Sequence, residues 1–557
     1  MPKSQPNLIL VMTDDQGYGD LGCTGNPWID TPNLDAFSRQ CTRLNDFHVS
    51  PLCTPTRGAL MSGHNPLRNG AWATTWGRSL LRRDEVTMAD IFAENGYRTG
   101  MFGKWHLGDN FPYRPQDRGF QTVVAHRGGG VGQTPDFWGN TYFDDTYFHN
   151  GKPKPHEGYC TDIWFDEAMR FIENNQDAPF FCYLATNAPH APYRVDDAYT
   201  RPYLDNENIP HPPFYGMITN IDENMGRLLS KLDELGLSKN TILIFMTDNG
   251  SSGGWDTDSR RGYNAGMRGR KGSYYDGGHR VPFFIRWPEG GIREDLELPH
   301  LTTHTDLLPT FTDLCNLGDP DHLAFDGISL APLLRNEVQT LPERNIFVQY
   351  RQSMDPPQKW ENAVLSGRWR LVRGEELYDI HSDPGQQNDI AEENAEIVQD
   401  LRRAHEEWWN EVAPGLEEVC PLVLGDDAEN PTTLCAFDVL GDVAWDQSHI
   451  KQARACSGRW RVEVARPGRY AISLRRWPTE LGLPIDAALA DEQSVRLAPS
   501  QARLTIGNSE HLTDVRAGEK SADFPVALQR GVADLRATFL NGNGEKHGAY
   551  YVRVERQ

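Results

Sequence analysis

Two short apolar runs far apart in the chain, each ending in a pair of oxygen-bearing side chains, constrain the fold more than any other feature. Leu8-Ile9-Leu10-Val11-Met12 stops at Thr13-Asp14-Asp15, and Ile242-Leu243-Ile244-Phe245-Met246 stops at Thr247-Asp248-Asn249. Continuous aliphatic runs of this length read as strands buried on both faces, as in a parallel sheet. Two further candidates, starting at Arg98 and Phe180, deliver Gly103-Lys104-Trp105-His106-Leu107-Gly108 and Asn187-Ala188-Pro189-His190-Ala191-Pro192. Apolar residues at helical spacing fill the gaps, notably Met88, Ile91 and Phe92, then Ile163 to Ile172, then Ile218 to Leu235. Strand and helix alternate, which predicts an α/β domain over residues 1–344 with a mostly parallel sheet sandwiched by helices.

Open α/β sheets bind ligands beyond the carboxyl ends of their strands. If the two acid-ending strands are neighbours, Asp14, Asp15, Asp248 and Asn249 converge as hard oxygen donors, a set that suits Ca²⁺ or Mg²⁺ better than zinc. Taken singly, each is also an ordinary turn residue or helix cap. Alanine at Asp14 or Asp248 is then expected to cost activity far more than stability. Period-2 spacing would put Lys104 and His106 on one side of an extended backbone, and His190 leaves its strand at the same sheet edge.

Ser50-Pro51-Leu52-Cys53-Thr54-Pro55-Thr56-Arg57-Gly58-Ala59-Leu60-Met61 reads as a helix start, with a Thr able to cap and a Pro tolerated in the first turn. Cys53 then sits at the positive end of the helix dipole, and Arg57 rises from the same face one turn later, an arrangement suited to an oxyanion. A second basic element, Arg268-Gly269-Arg270-Lys271-Gly272, supplies a local positive field within a chain of 55 Lys+Arg against 78 Asp+Glu, net −23. That balance argues against a nucleic-acid surface. Arg127-Gly128-Gly129-Gly130-Val131-Gly132, with Trp72, Trp76, Trp138 and Tyr142, either lines a sugar or aryl pocket or belongs to turns and core.

The Cys-x-Pro-x-Arg stretch resembles the signature of the type I, formylglycine-dependent sulfatases, arylsulfatase-like members of the alkaline-phosphatase-like superfamily. The Gly-Lys-x-His and Pro-His elements resemble theirs too, and the likeness runs over residues 7 to 415. It implies a sulfuric-ester hydrolase whose Cys53 is oxidised to formylglycine by a maturase. It also implies a Ca²⁺ site, ahead of Mg²⁺, at Asp14, Asp15, Cys53, Asp248 and Asn249. The resemblance further implies Arg57 and Lys104 at the ionised nucleophile, Lys271 on the sulfate, His190 as general acid, His106 and Asp248 as bases, and a sulfated small molecule or saccharide as substrate. A phosphonate or phosphate diester hydrolase of the same superfamily is the nearest alternative, and a carbohydrate-binding protein with an unmatured Cys53 the next.

The remainder is built differently. Short alternating runs and an amphipathic helix over 345–415 predict a small antiparallel subdomain, and regularly spaced strand candidates over 416–557 predict an all-β sandwich whose job is packing against the catalytic domain first, then carbohydrate binding or dimer formation. Nine widely spaced cysteines form neither a disulfide framework nor a zinc pattern. The opening residues lack an apolar leader, so the chain as written reads as cytoplasmic, or as periplasmic or secreted if a signal peptide was removed; no span is long enough for a membrane.

Overall fold

A computed structural model describes residues 5–318, 324–490, 493–542 and 546–557. Strands β1 (Asn7–Thr13), β2 (Thr42–His48), β3 (Arg98–Lys104), β4 (Thr122–His126), β5 (Thr146–His149), β6 (Lys152–Pro155), β7 (Phe180–Ala185), β8 (Thr241–Thr247), β9 (Phe283–Arg286) and β10 (Leu296–Thr303) form one sheet. Its order is β10-β2-β9-β8-β1-β7-β3-β4-β5-β6. The four strands legible in the sequence are its centre, β8-β1-β7-β3, and all run parallel. Antiparallel pairing enters through β9, inserted between β8 and β2, and through the β5–β6 hairpin at one edge.

Every residue of β1 and β8 is buried, and alternate residues feed two different cores. Leu8, Leu10 and Met12 pack with helices α1 (Cys53–Ser62), α2 (Met88–Glu94) and, further along the chain, α5 (Leu307–Cys315). Ile9 and Val11 face the opposite side, against α3 (Cys160–Asn174) and α4 (Pro212–Glu234). This two-sided burial, worth about 1.5–3 kcal/mol for each large aliphatic side chain, explains why these strands lack alternation. The register sets Thr13 opposite Thr247, so the two acidic strand ends emerge side by side.

Residues 345–349, 362–366, 369–372 and 376–379 make a four-stranded antiparallel meander, and α6 (Ala395–Val412) packs on it through Val398 and Leu401. The last part of the chain is a sandwich of a seven-stranded and a four-stranded sheet. Trp460, Ile472, Leu504, Phe539 and Val552 share its core, which also takes in Leu80 and Tyr113 of the catalytic region. All the cysteines are free, and no helix among the described residues is long and apolar enough to cross a membrane.

Candidate active site

The acidic strand ends lock together through the backbone. Asp248 N donates to Thr13 O (3.1 Å), and Asp15 N donates to Asp248 Oδ1 (3.0 Å), a turn that needs Asp15 in the left-handed region at φ 66°. Asn249 Nδ2 donates to Asp15 Oδ1 (2.9 Å), completing the convergence expected from the sequence.

Helix α1 begins at Cys53 itself, after an extended Leu52 that offers no side-chain cap. The expected threonine cap is therefore absent: Thr54 lies inside the first turn and donates to His106 O (3.2 Å), while Thr56 Oγ1 accepts from Ser50 N (3.0 Å). Arg57 is fully buried and aims at a carboxylate. It donates to Asp248 Oδ2 through Nε (3.1 Å) and Nη2 (2.8 Å), and to Lys104 O through Nη1 (2.8 Å).

Lys104 and His106 do not share one side of an extended backbone. The strand ends at Lys104, and His106 turns to φ 60°, so the two side chains part. Lys104 Nζ donates to Asp14 Oδ2 (2.8 Å) in complete burial. His106 Nδ1 lies 3.4 Å from Cys53 Sγ, and its Nε2 donates to Thr74 O (2.9 Å). A carbonyl oxygen only accepts, so the Nε2 proton leaves Nδ1 as the bare nitrogen facing the sulfur.

Lys271 Nζ meets Asp15 Oδ1 at 2.5 Å, and His190 Nε2 lies 3.7 Å from Asp15 Oδ2. The loop carrying Lys271 is pinned beside Cys53 because Gly272 N donates to Pro51 O (2.9 Å). Its other cations point elsewhere: Arg268 stacks on Tyr275 and bonds Tyr378, and Arg270 reaches Trp255 O.

Electrostatics follow from burial. Burial opposes ionisation of Asp15, but Lys271, His190 and Lys104 outweigh it and hold the carboxyl well below its usual range. Asp248 goes the other way, raised by burial and by Asp14. Burial, with Lys104 alongside, pushes His106 well below 6.5, so the ring is neutral, with Nδ1 bare. Burial pushes His190 down to about 4 and raises the Cys53 thiol.

The donor set fits a hard divalent cation. Asp14 Oδ1 and Asn249 Oδ1 are buried acceptors with no hydrogen-bond partner, and donor atoms of Asp14, Cys53 and Asp248 lie within 4.8 Å of one another. Oxygen acceptors buried without donors are costly unless something positive meets them.

The site opens into a cavity of about 800 Å³ lined by Cys53, His106, His190 and Lys271. Residues with no sequence signal line it as well: Thr74, Gln133 and Gln352. The glycine-rich stretch has a defined role here. Gly129 lies over the His106 ring so closely that a Cβ would fall 2.3 Å from Cε1. Of the aromatic residues grouped with it, only Trp76 lines the cavity; Trp72 and Tyr142 are buried, and Trp138 packs on Trp477.

Residues 6–317 match the sulfatase family. The chain belongs to the sulfatase family. Residues 270–410 also match the C-terminal part of N-sulphoglucosamine sulphohydrolase. Arylsulfatase A of Homo sapiens is 31% identical over 412 residues, covering 68% of this chain and 77% of its own. N-acetylgalactosamine-6-sulfatase of Canis lupus familiaris is 30% identical, over 61% of this chain and 68% of its own. The solved structure of Ps i-CgsB in complex with k-i-k-neocarrahexaose is 28% identical, with a TM-score of 0.66, covering 73% of this chain and 93% of its own. This sulfatase is a sulfuric-ester hydrolase, and its family generally depends on formylglycine and a metal ion.

Proposed function

We propose that this sulfatase cleaves sulfate monoesters of a carbohydrate or aryl alcohol, with Cys53 matured to formylglycine and Ca²⁺, ahead of Mg²⁺, held by Asp14, Asp15, Asp248, Asn249 and the residue-53 side chain. The observation that carries the reading is the pair of unpartnered buried acceptors, Asp14 Oδ1 and Asn249 Oδ1, in a site where the Asp14, Cys53 and Asp248 donors lie within 4.8 Å of one another. When bound, the cation would polarise a sulfate oxygen and the attacking hydroxyl, and the hydrated aldehyde would supply that hydroxyl together with a second one.

The chain's own residues do the rest. Lys271 takes the sulfate charge, and Arg57 and Lys104 balance the acidic strand ends. Asp248 accepts the proton of the attacking hydroxyl. His190 delivers a proton to the leaving alcohol: neutral in the free site with Nδ1 donating to Ala191 O (2.5 Å), it takes a solvent proton at Nε2 as the negative sulfate ester raises its proton affinity, and passes that proton to the departing oxygen. His106 Nδ1 removes the proton of the second hydroxyl, which expels sulfate. The saccharide arm of the substrate class draws on the solved relative that holds k-i-k-neocarrahexaose.

The test is peptide mapping of residue 53 alongside sulfate release from 4-nitrophenyl sulfate, before and after chelation. A residue-53 peptide lacking sulfur, turnover lost on chelation and turnover restored by Ca²⁺ are expected. Full turnover by protein with an intact Cys53 thiol, or by metal-free protein, would overturn the reading.

His190→Ala is expected to slow esters of poor alcohol leaving groups by about 100-fold or more, the usual scale of a lost general acid, and aryl esters by much less, since a phenolate departs with little protonation. Equal losses on both substrate types would take His190 out of that role.

A further inference from the structure

The cavity over Cys53 is walled on one side by residues that neither family match includes. Phe437, Asp442, Trp445 and Arg454 line it, whereas the matches end at residue 410. This wall is joined to the catalytic machinery. Trp76 donates its backbone N–H to Phe437 O (3.2 Å) and its indole N–H to Gly441 O (3.1 Å), and Thr74 in the same loop holds His106.

Two exposed groups on the wall face the cavity. Trp445 leaves 40% of its surface exposed, although its backbone is fixed by Thr134 N donating to Trp445 O (3.0 Å) and its ring stands perpendicular to that of His449. Arg454 is anchored through its own backbone, with Tyr550 OH donating to Arg454 O (2.7 Å). Its guanidinium meets only the neutral acceptor His449 Nε2 (2.9 Å), and no carboxylate among the described residues pairs with it. A part-exposed tryptophan and a cation that no described carboxylate pairs with, both touching His449 and both lining one cavity in a chain of net charge −23, can take an anion carried on a flat apolar ring. The acid on the wall, Asp442, accepts from Ser457 Oγ (2.8 Å) and offers its remaining lone pairs to hydroxyls. About 800 Å³ is far more than a single aryl sulfate fills.

We infer that the C-terminal sandwich forms half of the substrate pocket and that Trp445 and Arg454 select an acidic oligosaccharide. A sugar ring stacks on Trp445, while a second anionic group, sulfate or uronate carboxylate, meets Arg454. This rests on the proposed sulfate-ester chemistry at residue 53 and adds the identity of the alcohol half.

Full-length Trp445→Ala and Arg454→Gln proteins are compared with the parent on 4-nitrophenyl sulfate and on three tetrasaccharides, carrying one sulfate, two sulfates, or one sulfate and one uronate carboxylate. In either variant kcat/KM on the two-charge saccharides, relative to the aryl ester, is expected to fall about tenfold or more, the scale of a lost anchor contact. Arg454→Gln should also erase the parent's preference for a second charge, and the saccharide that loses more distinguishes sulfate from carboxylate. Equal losses on aryl and saccharide esters, or a parent indifferent to the second charge, overturn the inference. A parent that cleaves none of these substrates overturns the proposed chemistry instead. Calorimetric titration of the Cys53→Ala protein with the disulfated tetrasaccharide then decides: binding lost on adding Arg454→Gln supports the pocket, and unchanged or absent binding sinks it.

Discussion

Cys53→Ser, made in a host whose maturase does not oxidise serine, is expected to stop after a single chemical event. A serine still presents one hydroxyl at the start of α1, in the same carboxylate and cation surroundings, so attack on sulfur remains open to it. Release is where it fails. His106, the base in the proposed mechanism, bonds Thr74 O through Nε2, and its bare Nδ1 lies 3.4 Å from the residue-53 side-chain atom. After transfer a serine has no second hydroxyl proton for that nitrogen to take, and a bound sulfate ester repels an outside nucleophile. The variant should release at most a single equivalent of alcohol per site, and the residue-53 peptide should gain the mass of one sulfate group. Sustained turnover near the parent rate would falsify the role given to His106 and the need for a second hydroxyl.

The centre of the fold was legible because burial on both faces leaves a plain trace. β1 and β8 are read directly from aliphatic runs and β3 and β7 from shorter apolar stretches, and their strand-end residues Asp14, Lys104, His190 and Asp248 could be singled out with them. β9, only Phe283–Arg286, and the β5–β6 hairpin are too short or too exposed to carry a pattern. In the sandwich, Ala522–Leu528 alternates buried and exposed residues regularly, yet Pro525 argues against a strand. It is tolerated because this strand lies at the edge of its sheet.

The direction of the side chains was less legible than their presence. Positive φ at Asp15 and His106 breaks the period-2 rule at the two positions where the chain leaves the sheet, so spacing alone sent His106 toward Lys104 when it turns to Cys53. The pocket wall was illegible for a different reason. Thr74 acts through a carbonyl, and Trp445 and Arg454 come to line the cavity over Cys53 across hundreds of residues of sequence, through the docking of a separately built sandwich.

The second large effect is expected at Asp248, and there the structure corrects the simple view that its loss costs activity but not stability. Asp248 Oδ2 is the acceptor for two nitrogens of Arg57, a cation with no exposed surface. In Asp248→Ala that guanidinium keeps only Lys104 O and a distant Asp14 Oδ1 at 4.0 Å, and a buried charge stripped of its partner costs about 3–5 kcal/mol. Asp14→Ala should behave alike through buried Lys104. Asp248→Asn separates the two roles, because its amide oxygen still accepts from Arg57 while the carboxylate charge is gone. With all proteins unfolded by urea in excess chelator, the alanine variant should show a clearly lower midpoint than the asparagine variant. Both should lose the bound divalent cation and nearly all turnover. An alanine variant as stable as the parent in chelator would refute the buried ion pair as a structural element, and an asparagine variant with parental turnover would remove Asp248 from both metal binding and proton transfer.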